Sequence, residues 1–272
     1  MTSSNASAHS SAARDVGAIV LAAGKGTRMK SDLPKVMHPA LGRPMVRWVV
    51  EAAKSAGVHG VTLIVGHGAE LVRGEFAGEP GIAFATQEPQ LGTGHAVDQA
   101  RRHFMPARAN DDVFVLCGDG PLIRPKTLAK LLSVHRADGA AATLATSVID
   151  DPHGYGRIER DASGRFLRIV EQKDATPEQR SIREVNPSYY CFRAADLFAA
   201  LSNVDNKNAN GEYYITDVFE LLRREGKRVS VVDAVPPEDV LSVNTPEQLA
   251  EVERILRARG GESIIHGEGA VR

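Results

Sequence analysis

A glycine-containing turn followed by basic residues is the first segment of the chain that could do chemistry. The turn covers residues 21–29, Leu-Ala-Ala-Gly-Lys-Gly-Thr-Arg-Met, and ends a short apolar run. Its small residues allow the backbone to approach a ligand closely, while Arg28 and Lys35 add positive charge. Backbone N–H groups together with two cations favour a polyphosphate. The alternative is a plain glycine-containing turn with solvated charges.

The spacing in this turn differs from two familiar phosphate-binding motifs. A dinucleotide fingerprint requires a third glycine where Met29 stands, and a P-loop requires Lys-Ser or Lys-Thr after its second glycine. The turn therefore indicates a nucleotide phosphate site of another kind. It also argues against a dinucleotide-dependent oxidoreductase.

The segment 87–96, Gln-Glu-Pro-Gln-Leu-Gly-Thr-Gly-His-Ala, offers groups suited to a nucleobase. The carboxamide of Gln87 has both a donor and an acceptor, which suits the edge of a base. Gly92 and Thr93 can add backbone and hydroxyl contacts at the start of a helix. An ordinary loop with an N-cap would use the same residues, so this segment alone does not decide between the two interpretations.

Asp119 is the third candidate, because it follows the apolar run 113–117 in a turn rich in glycine. A carboxylate at the end of a buried strand is well placed to hold Mg²⁺, which takes one or two carboxylates together with phosphate oxygens. A solvated turn aspartate is the alternative. The nine histidines contain no HxxxH-like pair, and no nucleophile–base arrangement stands out.

Strands and helices alternate in the first half of the chain, and this alternation would bring the three candidate segments together. The sequence predicts strands at 17–22, 61–65, 82–86, 113–117 and 141–148, and helices at 44–56, 94–103 and 125–135. This order predicts an α/β fold, a Rossmann-like three-layer arrangement with a mostly parallel central sheet. Ligands of such sheets lie at the carboxyl ends of the strands, where all three segments begin.

The pattern changes after residue 150, where turns and strand pairs become frequent. The sequence predicts paired strands within 156–171, further strands at 184–192 and 229–235, and helices at 212–224 and 246–257, the last capped by Thr245. We expect this hairpin-rich half to close over the site of the first half and to bind the second substrate. One domain at 16–258 would contain both halves.

The composition excludes several function classes. The chain has 272 residues and a formal net charge of −1, so no global field favours nucleic acid or an acidic membrane surface. No apolar run is long enough to cross a bilayer. Cys117 and Cys191 lie in apolar runs without metal-binding spacing, which indicates buried thiols in a reducing, cytoplasmic setting. The sequence does not indicate an oligomeric state.

The two ends of the chain are expected to carry no chemistry. Residues 1–15 are rich in Ser and Ala and lack the apolar block of a secretory signal, which predicts a disordered tail. A transit peptide is the alternative, for which Arg14 is the only Lys or Arg in that stretch. Residues 259–272 are expected to form a second tail.

Taken in order from about residue 16 to residue 257, the motifs resemble a known family, the uridyltransferase (pyrophosphorylase) domain of bacterial bifunctional N-acetylglucosamine-1-phosphate uridyltransferase/glucosamine-1-phosphate acetyltransferases. The pieces that carry the resemblance are LAAGKGTRMKSDLPKVMH, QLGTGHA, GDGPLI, GYGRI, VEQKDAT and GEYYITD. The first would suggest sugar nucleotidyltransferases broadly, and the QLGTGHA and GEYYITD segments narrow the resemblance to this family. Residues 260–272 contain no hexapeptide repeat of the acetyltransferase part, so acetyl transfer is not implied.

The resemblance implies a reaction and a set of site residues. UTP and N-acetylglucosamine 1-phosphate would be the substrates and Mg²⁺ the cofactor. Arg28 and Lys35 would be catalytic, and Asp119 and Asn244 would hold the metal. Gly156, Glu171 and Asn186 would contact the sugar. The nucleotide would be bound by Leu21, Ala22, Ala23, Gly24, Gln87, Gly92, Thr93 and Gly118.

Of two local departures from the family pattern, the one after Asn186 leaves alternatives open and the one at Cys117 is expected to be tolerated. The family usually has a small residue and then Gly after the sugar-site Asn, whereas Pro187, Ser188 and Tyr189 follow Asn186 here. Cys117 stands where an aromatic residue is frequent. Another sugar 1-phosphate such as glucose 1-phosphate, or another nucleotide, therefore remains an alternative, as does a non-catalytic nucleotide-binding module.

Overall fold

Ten strands form one mixed sheet at the centre of residues 14–260, the part of the chain that the computed structural model describes. Two very short strands, β2 and β3, form a separate hairpin. In chain order the strands are β1 (Val16–Ala22), β2 (Pro39–Ala40), β3 (Arg43–Pro44), β4 (Gly60–Val65), β5 (Ile82–Thr86), β6 (Asp112–Cys117), β7 (Ala142–Val148), β8 (Gly156–Arg160), β9 (Phe166–Val170), β10 (Glu184–Asn186), β11 (Tyr189–Arg193) and β12 (Val229–Asp233).

The helices connect these strands and cover both faces of the sheet. They are α1 (Met45–Ser55), α2 (Ala69–Glu75), α3 (Thr93–Asp98), α4 (Arg101–Phe104), α5 (Pro125–Ala137), α6 (Pro177–Arg180), α7 (Ala194–Leu201), α8 (Asp217–Arg224) and α9 (Pro246–Ala258). Short 3₁₀ turns occupy Thr27–Met29, Lys35–Met37 and Pro237–Asp239. Among the helices within residues 14–260, none has the length and apolar character needed to cross a membrane.

The strand order is β5-β4-β1-β6-β11-β7-β10-β8-β9, and β12 also pairs with β7. The first four strands run parallel, as the sequence predicts, because apolar runs such as β1 and β4 are buried on both faces. The second half is antiparallel at β11, β10, β8 and β9, which agrees with the predicted hairpins.

Successive side chains of β1 enter two different hydrophobic clusters. Ile19 packs with the cluster that contains Phe198 and Phe219 of α7 and α8. Val20 packs on the opposite face with residues such as Val49 of α1 and Leu131 of α5. The period-two alternation of the strand therefore fixes three layers, with helices on both sides of the sheet.

The register of the parallel strands brings the candidate segments to one edge. Leu21 pairs with Cys117, Ala22 pairs with Val65, and Val65 pairs with Thr86. The turn after β1, the loop after β5 and the turn after β6 therefore begin side by side at the carboxyl ends of the strands.

Three predicted elements differ from the observed ones. The predicted helix 94–103 is divided into α3 and α4, and the predicted strand 184–192 is divided into β10 and β11. The predicted helix 212–224 begins only at Asp217, because the backbone of Tyr213 and Ile215 bonds to a distant loop. Helix α7 was not predicted. The predicted tails 1–15 and 259–272 lie outside the described residues, apart from Arg14, Asp15, Arg259 and Gly260.

Asp112 is a buried carboxylate at the start of β6, and it should contribute strongly to stability. Its side chain is fully buried and lies 2.6 Å from Arg136 Nε and 3.4 Å from His135 Nε2. Burial alone would raise the pKa of Asp112, but hydrogen bonds from His135 and Arg136 outweigh it and lower that pKa. Removing one partner of such a group leaves the others unpaired.

We expect Asp112→Ala to lower the free energy of unfolding by roughly 3 kcal/mol. Urea unfolding followed by circular dichroism would measure the change. Asp205→Ala, which removes an exposed carboxylate, should unfold like the wild type. Equal unfolding midpoints for the two variants would contradict the prediction.

Candidate active site

A cleft of about 310 Å³ lies at the carboxyl edge of the parallel strands. Most of the residues predicted to bind a nucleotide line it. The lining residues are Leu21, Ala23, Gly24, Lys35, Val36, Gln87, Gln90, Gly92, Thr93, Ala96, Cys117, Asp119 and Glu212. Ala22, which was also predicted to bind the nucleotide, is fully buried and does not line the cleft.

Two glycines allow the backbone segments around the cleft to approach closely. The Gly118 N–H donates to the carbonyl of Leu21 at 2.9 Å, and a Cβ on Gly118 would lie 2.8 Å from that oxygen. Gly26 has φ 67°, and a Cβ there would lie 2.6 Å from the Cβ of Lys35. A larger residue at either position would move the turn or Lys35 itself.

Four polar side chains from distant parts of the chain converge at one end of the cleft. Lys35 Nζ forms an ion pair with the Asp119 carboxylate and donates to Asn244 Oδ1 at 3.1 Å. Arg28 Nη2 donates to the same Asn244 oxygen at 2.9 Å. The Val243 N–H donates to the backbone carbonyl of Asp119 at 3.0 Å, which holds Asn244 beside the β6 turn. All four residues were predicted from the sequence.

The donors of Asp119 and Asn244 fit a divalent cation. A carboxylate oxygen and an amide oxygen already converge on one positive charge, the Lys35 ammonium. Hard divalent ions prefer such oxygen ligands and keep positions for phosphate and water. Within the described residues, no group of three or more His, Cys, Asp or Glu side chains could hold a metal. A cation at this point would therefore share its coordination with the ligand.

Gln87 presents one particular group to the cleft. Its side chain is buried, and Nε2 donates to the Gly92 carbonyl at 2.9 Å and lies 3.2 Å from His95 Nδ1. Because the carbonyl can only accept, the amide nitrogen must face it. The donor of Gln87 is thus engaged within the protein, and the carboxamide oxygen is the group available to a ligand.

Residues 212–216 form a wall between the two halves of the site. The Gly94 N–H donates to Tyr213 O at 2.7 Å, and the Tyr213 N–H donates to Leu91 O at 2.8 Å. The hydroxyl of Thr93 accepts from the Ile215 N–H at 3.1 Å. Gly92 is needed here, because a Cβ on it would lie 2.6 Å from Tyr213 O. These bonds explain why the segment is not helical.

The three predicted sugar contacts lie on the antiparallel half of the sheet. Gly156 and Asn186 are paired between β8 and β10, and a Cβ on Gly156 would lie 3.5 Å from Asn186 Cβ. Asn186 Oδ1 accepts from the Ser188 N–H at 3.0 Å, and its Nδ2 donates to the Tyr190 hydroxyl at 2.7 Å. Asn186 is therefore held in one orientation by its neighbours.

Glu171 comes directly after β9 and lies outside the cleft described above. Its Oε1 accepts from the Thr216 hydroxyl at 2.9 Å. Burial raises the pKa of Glu171, and the negative charges of Asp174 and Glu212 raise it further. Thr216 is the last residue of the segment 212–216, which also contacts the predicted base-binding residue Thr93. The hydrogen bond to Thr216 therefore connects Glu171 to that segment.

The unusual residues after Asn186 keep a backbone shape that suits glycine. Ser188 has φ 66°, the left-handed conformation that glycine adopts without strain. Ser188 also hydrogen bonds to the thiol of Cys117, so the two departures from the family pattern touch each other. Burial and the charge of Asp119 raise the pKa of Cys117 to about 12, so it remains a thiol and not a nucleophile.

Two of the cleft residues that sequence reasoning did not assign to the site are polar, Gln90 and Glu212. Gln90 donates a hydrogen bond to the carbonyl of Ala23, and Glu212 lies opposite on the wall segment. The position of Gln90 three residues after Gln87 is a signal that could have identified it. No local signal identifies Glu212, because it reaches the cleft only through the contacts of the wall.

A second cavity of about 320 Å³ is lined in part by Glu171 and has no lining residue in common with the first. Acidic side chains from three separate segments line it, which are Glu171, Asp174, Asp205, Asp217 and Glu220. Burial raises the pKa of Asp217 to about 6, and the charges of Glu171 and Glu220 add to the effect. The sequence did not indicate this cluster, since its members are far apart along the chain.

Asp217 should make stability depend on pH in a definite direction. Its folded pKa of about 6 lies above the ordinary value of 3.8, so the fold disfavours the ionised form. Below the ordinary pKa of 3.8, Asp217 is protonated and its contribution to the free energy of unfolding is highest. That contribution to the free energy of unfolding is lost as pH rises through about 6. We expect Asp217→Asn to gain in melting temperature relative to the wild type between about pH 4.5 and pH 7.5. Asp32→Asn, which changes an exposed carboxylate outside this cavity, should show no such gain. An equal difference at both pH values would contradict the prediction.

The fold and this cleft define a nucleotidyltransferase, and the comparison with protein families agrees. Residues 18–212 match the MobA-like NTP transferase domain, and the chain belongs to that family. Among curated proteins, the bifunctional protein GlmU of Geobacter metallireducens is 52% identical over 249 residues, 90% of this chain and 51% of that protein. GlmU of Pelobacter propionicus is 49% identical over 247 residues, 90% of this chain and 53% of that protein. The resemblance inferred from the motifs is confirmed, and the chain spans about half the length of these relatives.

Solved structures support the fold. A UDP-glucose pyrophosphorylase in complex with UDP-glucose superimposes with a TM-score of 0.73 at 18% identity, over 90% of this chain and 99% of that chain. A Bacillus anthracis protein named as a glucose-1-phosphate thymidylyltransferase gives 0.75 at 17% identity, over 93% and 100%. At these identities the likeness concerns the fold alone, and it confirms the predicted α/β arrangement.

Proposed function

We propose that this protein is a cytoplasmic, Mg²⁺-dependent uridyltransferase that converts UTP and N-acetylglucosamine 1-phosphate to UDP-N-acetylglucosamine and pyrophosphate. The observation that carries the proposal is the convergence of Arg28, Lys35, Asp119 and Asn244 at one end of the nucleotide-sized cleft. Two cations and two oxygen ligands at one point are what transfer between phosphates requires. The identity to GlmU proteins supports the choice of substrates.

The proposed reaction requires no general base. The attacking group is a phosphate oxygen of the sugar 1-phosphate, which is already an anion, and pyrophosphate leaves from the α-phosphorus. Arg28 and Lys35 hold the phosphates in line and neutralise charge that develops between them. Asp119 and Asn244 would hold Mg²⁺, which when bound supplies further positive charge to the phosphate oxygens. The protonated thiol of Cys117 agrees with direct transfer and no covalent enzyme intermediate.

Gln87 supplies a reason to favour UTP over CTP. The carboxamide oxygen available to a ligand can accept from the imide N–H of uracil. Cytosine has an acceptor at that ring position, so it would leave Gln87 unpaired, which costs more than the loss of a neutral contact. Asn186, Gly156 and Glu171 lie on the antiparallel half of the sheet, and we assign them to the N-acetylglucosamine part.

The test is pyrophosphate release by the purified protein with Mg²⁺, crossing UTP, CTP, ATP and dTTP against N-acetylglucosamine, glucosamine and glucose 1-phosphates. We expect UTP with N-acetylglucosamine 1-phosphate to give the highest kcat/KM. Preference for another pair would keep the mechanism and replace the substrate. No release from any pair would favour a nucleotide-binding module instead.

A further inference from the structure

The ammonium of Lys35 occupies the point on which both proposed metal ligands converge. Lys35 Nζ forms an ion pair with Asp119 Oδ2 and donates to Asn244 Oδ1 at 3.1 Å. The side chains of Lys35 and Asp119 are only 17% and 15% exposed. We propose that Lys35 and the metal ion compete for these two oxygens, so that the metal binds there only when Lys35 turns away to the nucleotide phosphates. This inference rests on the proposed function.

The two cations cannot share the point. A divalent ion would lie about 2 Å from each oxygen, and the ammonium, at hydrogen-bond distance from the same oxygens, would then lie within about 4 Å of it. Repulsion between a double and a single positive charge at that separation is large in a partly buried site. Lys35 must therefore leave Asp119 before a metal can occupy the position.

Lys35 has a place to go. It lines the same cleft as Gly24 and Thr93, so rotation of its flexible side chain would carry the ammonium toward a bound polyphosphate. The backbone need not move, because Lys35 begins a short helical turn that ends at Met37. Phosphate oxygens then replace Asp119 as the partners of Lys35, and the metal ion replaces Lys35 as the partner of Asp119. The charges of Lys35 and Asp119 both remain neutralised.

Arg28 takes no equivalent part in this exchange. It contacts Asn244 and is exposed, and its contacts within the described residues do not include Asp119. Within residues 14–260, Lys35 is the one cation that contacts both oxygens. The consequence is a coupling between ligands, in which nucleotide phosphates that attract Lys35 raise the affinity for the metal, and the metal raises the affinity for the nucleotide.

The exchange can be tested with the metal alone, using Mn²⁺ as the probe and no nucleotide. Free Mn²⁺ is measured by electron paramagnetic resonance during titration of the full chain. We expect Lys35→Met to bind Mn²⁺ about tenfold more tightly than the wild type, on the scale of a partly buried ion pair that no longer competes. Lys35→Arg, which keeps the charge, should bind weakly, like the wild type.

Lys30→Met is the matched control, because it removes the same charge from an exposed position in the preceding turn. It should leave Mn²⁺ affinity unchanged. In an Asp119→Asn background, the gain from Lys35→Met should disappear, since the two residues act on one site. Circular dichroism confirms that each variant is folded.

Three results would overturn the inference. They are wild-type Mn²⁺ affinity in Lys35→Met, a gain that persists in the Asp119→Asn background, or no Mn²⁺ binding by either wild type or Lys35→Met. The proposed function fails by a different result, which is a wild-type protein that releases no pyrophosphate from any substrate pair. Since the titration contains no substrate, the two failures are distinguishable.

Discussion

Asp119→Ala is expected to lower kcat by at least about 10³-fold, since it removes the carboxylate that we assign to the metal at the reacting end of the cleft. It also leaves the Lys35 ammonium without its strongest partner. Pyrophosphate release at saturating UTP, sugar 1-phosphate and Mg²⁺ measures the loss. Asn244 alone offers a neutral oxygen, which is too weak to retain a divalent ion.

Asp151→Ala serves as the control for Asp119→Ala, because Asp151 is exposed in a turn away from the cleft. Its kcat should match the wild type. Melting temperatures show whether each variant is folded. If Asp119→Ala kept more than about a tenth of wild-type kcat, far above the loss expected for such a group, its assignment as metal ligand would be wrong.

Lys35→Gln should lower kcat/KM for UTP by about 10²- to 10³-fold, because a charge that binds and orients the phosphates is lost. Both terms should change, with KM for UTP rising and kcat falling. The measurement is initial rates of pyrophosphate release over a range of UTP concentrations. Loss of turnover together with tighter Mn²⁺ binding in the absence of nucleotide would separate the two roles of Lys35.

Lys25→Gln is a suitable control for Lys35→Gln. Lys25 lies in the turn after β1 and is exposed, and it lines a neighbouring surface around His67 and not the cleft itself. Its effect on kcat/KM should be less than about threefold, as expected for an exposed charge. A comparable loss in both variants would show that the general charge of the turn matters more than the position of Lys35.

The parallel half of the fold could be predicted because each of its signals is local. Apolar runs such as 113–117 are buried on both faces, and a glycine-rich turn follows β1 and β6. Parallel topology then brings the turns to one edge, so Arg28, Lys35 and Asp119 could be placed together without coordinates. Asn244 was identified only by resemblance, since its position depends on the bond between Val243 and Asp119.

The remaining features depend on contacts that no local pattern records. Residues 212–216 directly precede α8, yet the backbone bonds of Tyr213 to Leu91 and Gly94 keep the segment out of the helix. Ser188 interrupts the predicted strand 184–192 with a left-handed conformation that a serine rarely adopts. The acidic cavity joins Asp205 and Asp217 to Glu171 through packing of α8 on β9.

The wall at 212–216 has a consequence for how the specificity of this enzyme class can be altered. One side of it bonds to the loop of Gly92 and Thr93, and the other side reaches Glu171 through Thr216. On the proposed assignment of base and sugar contacts, we therefore expect base selectivity and sugar selectivity to be coupled and not to be separate modules that recombination can shuffle. A chimaera that exchanges either half between homologues must carry the matching wall with it, or both selectivities will degrade together.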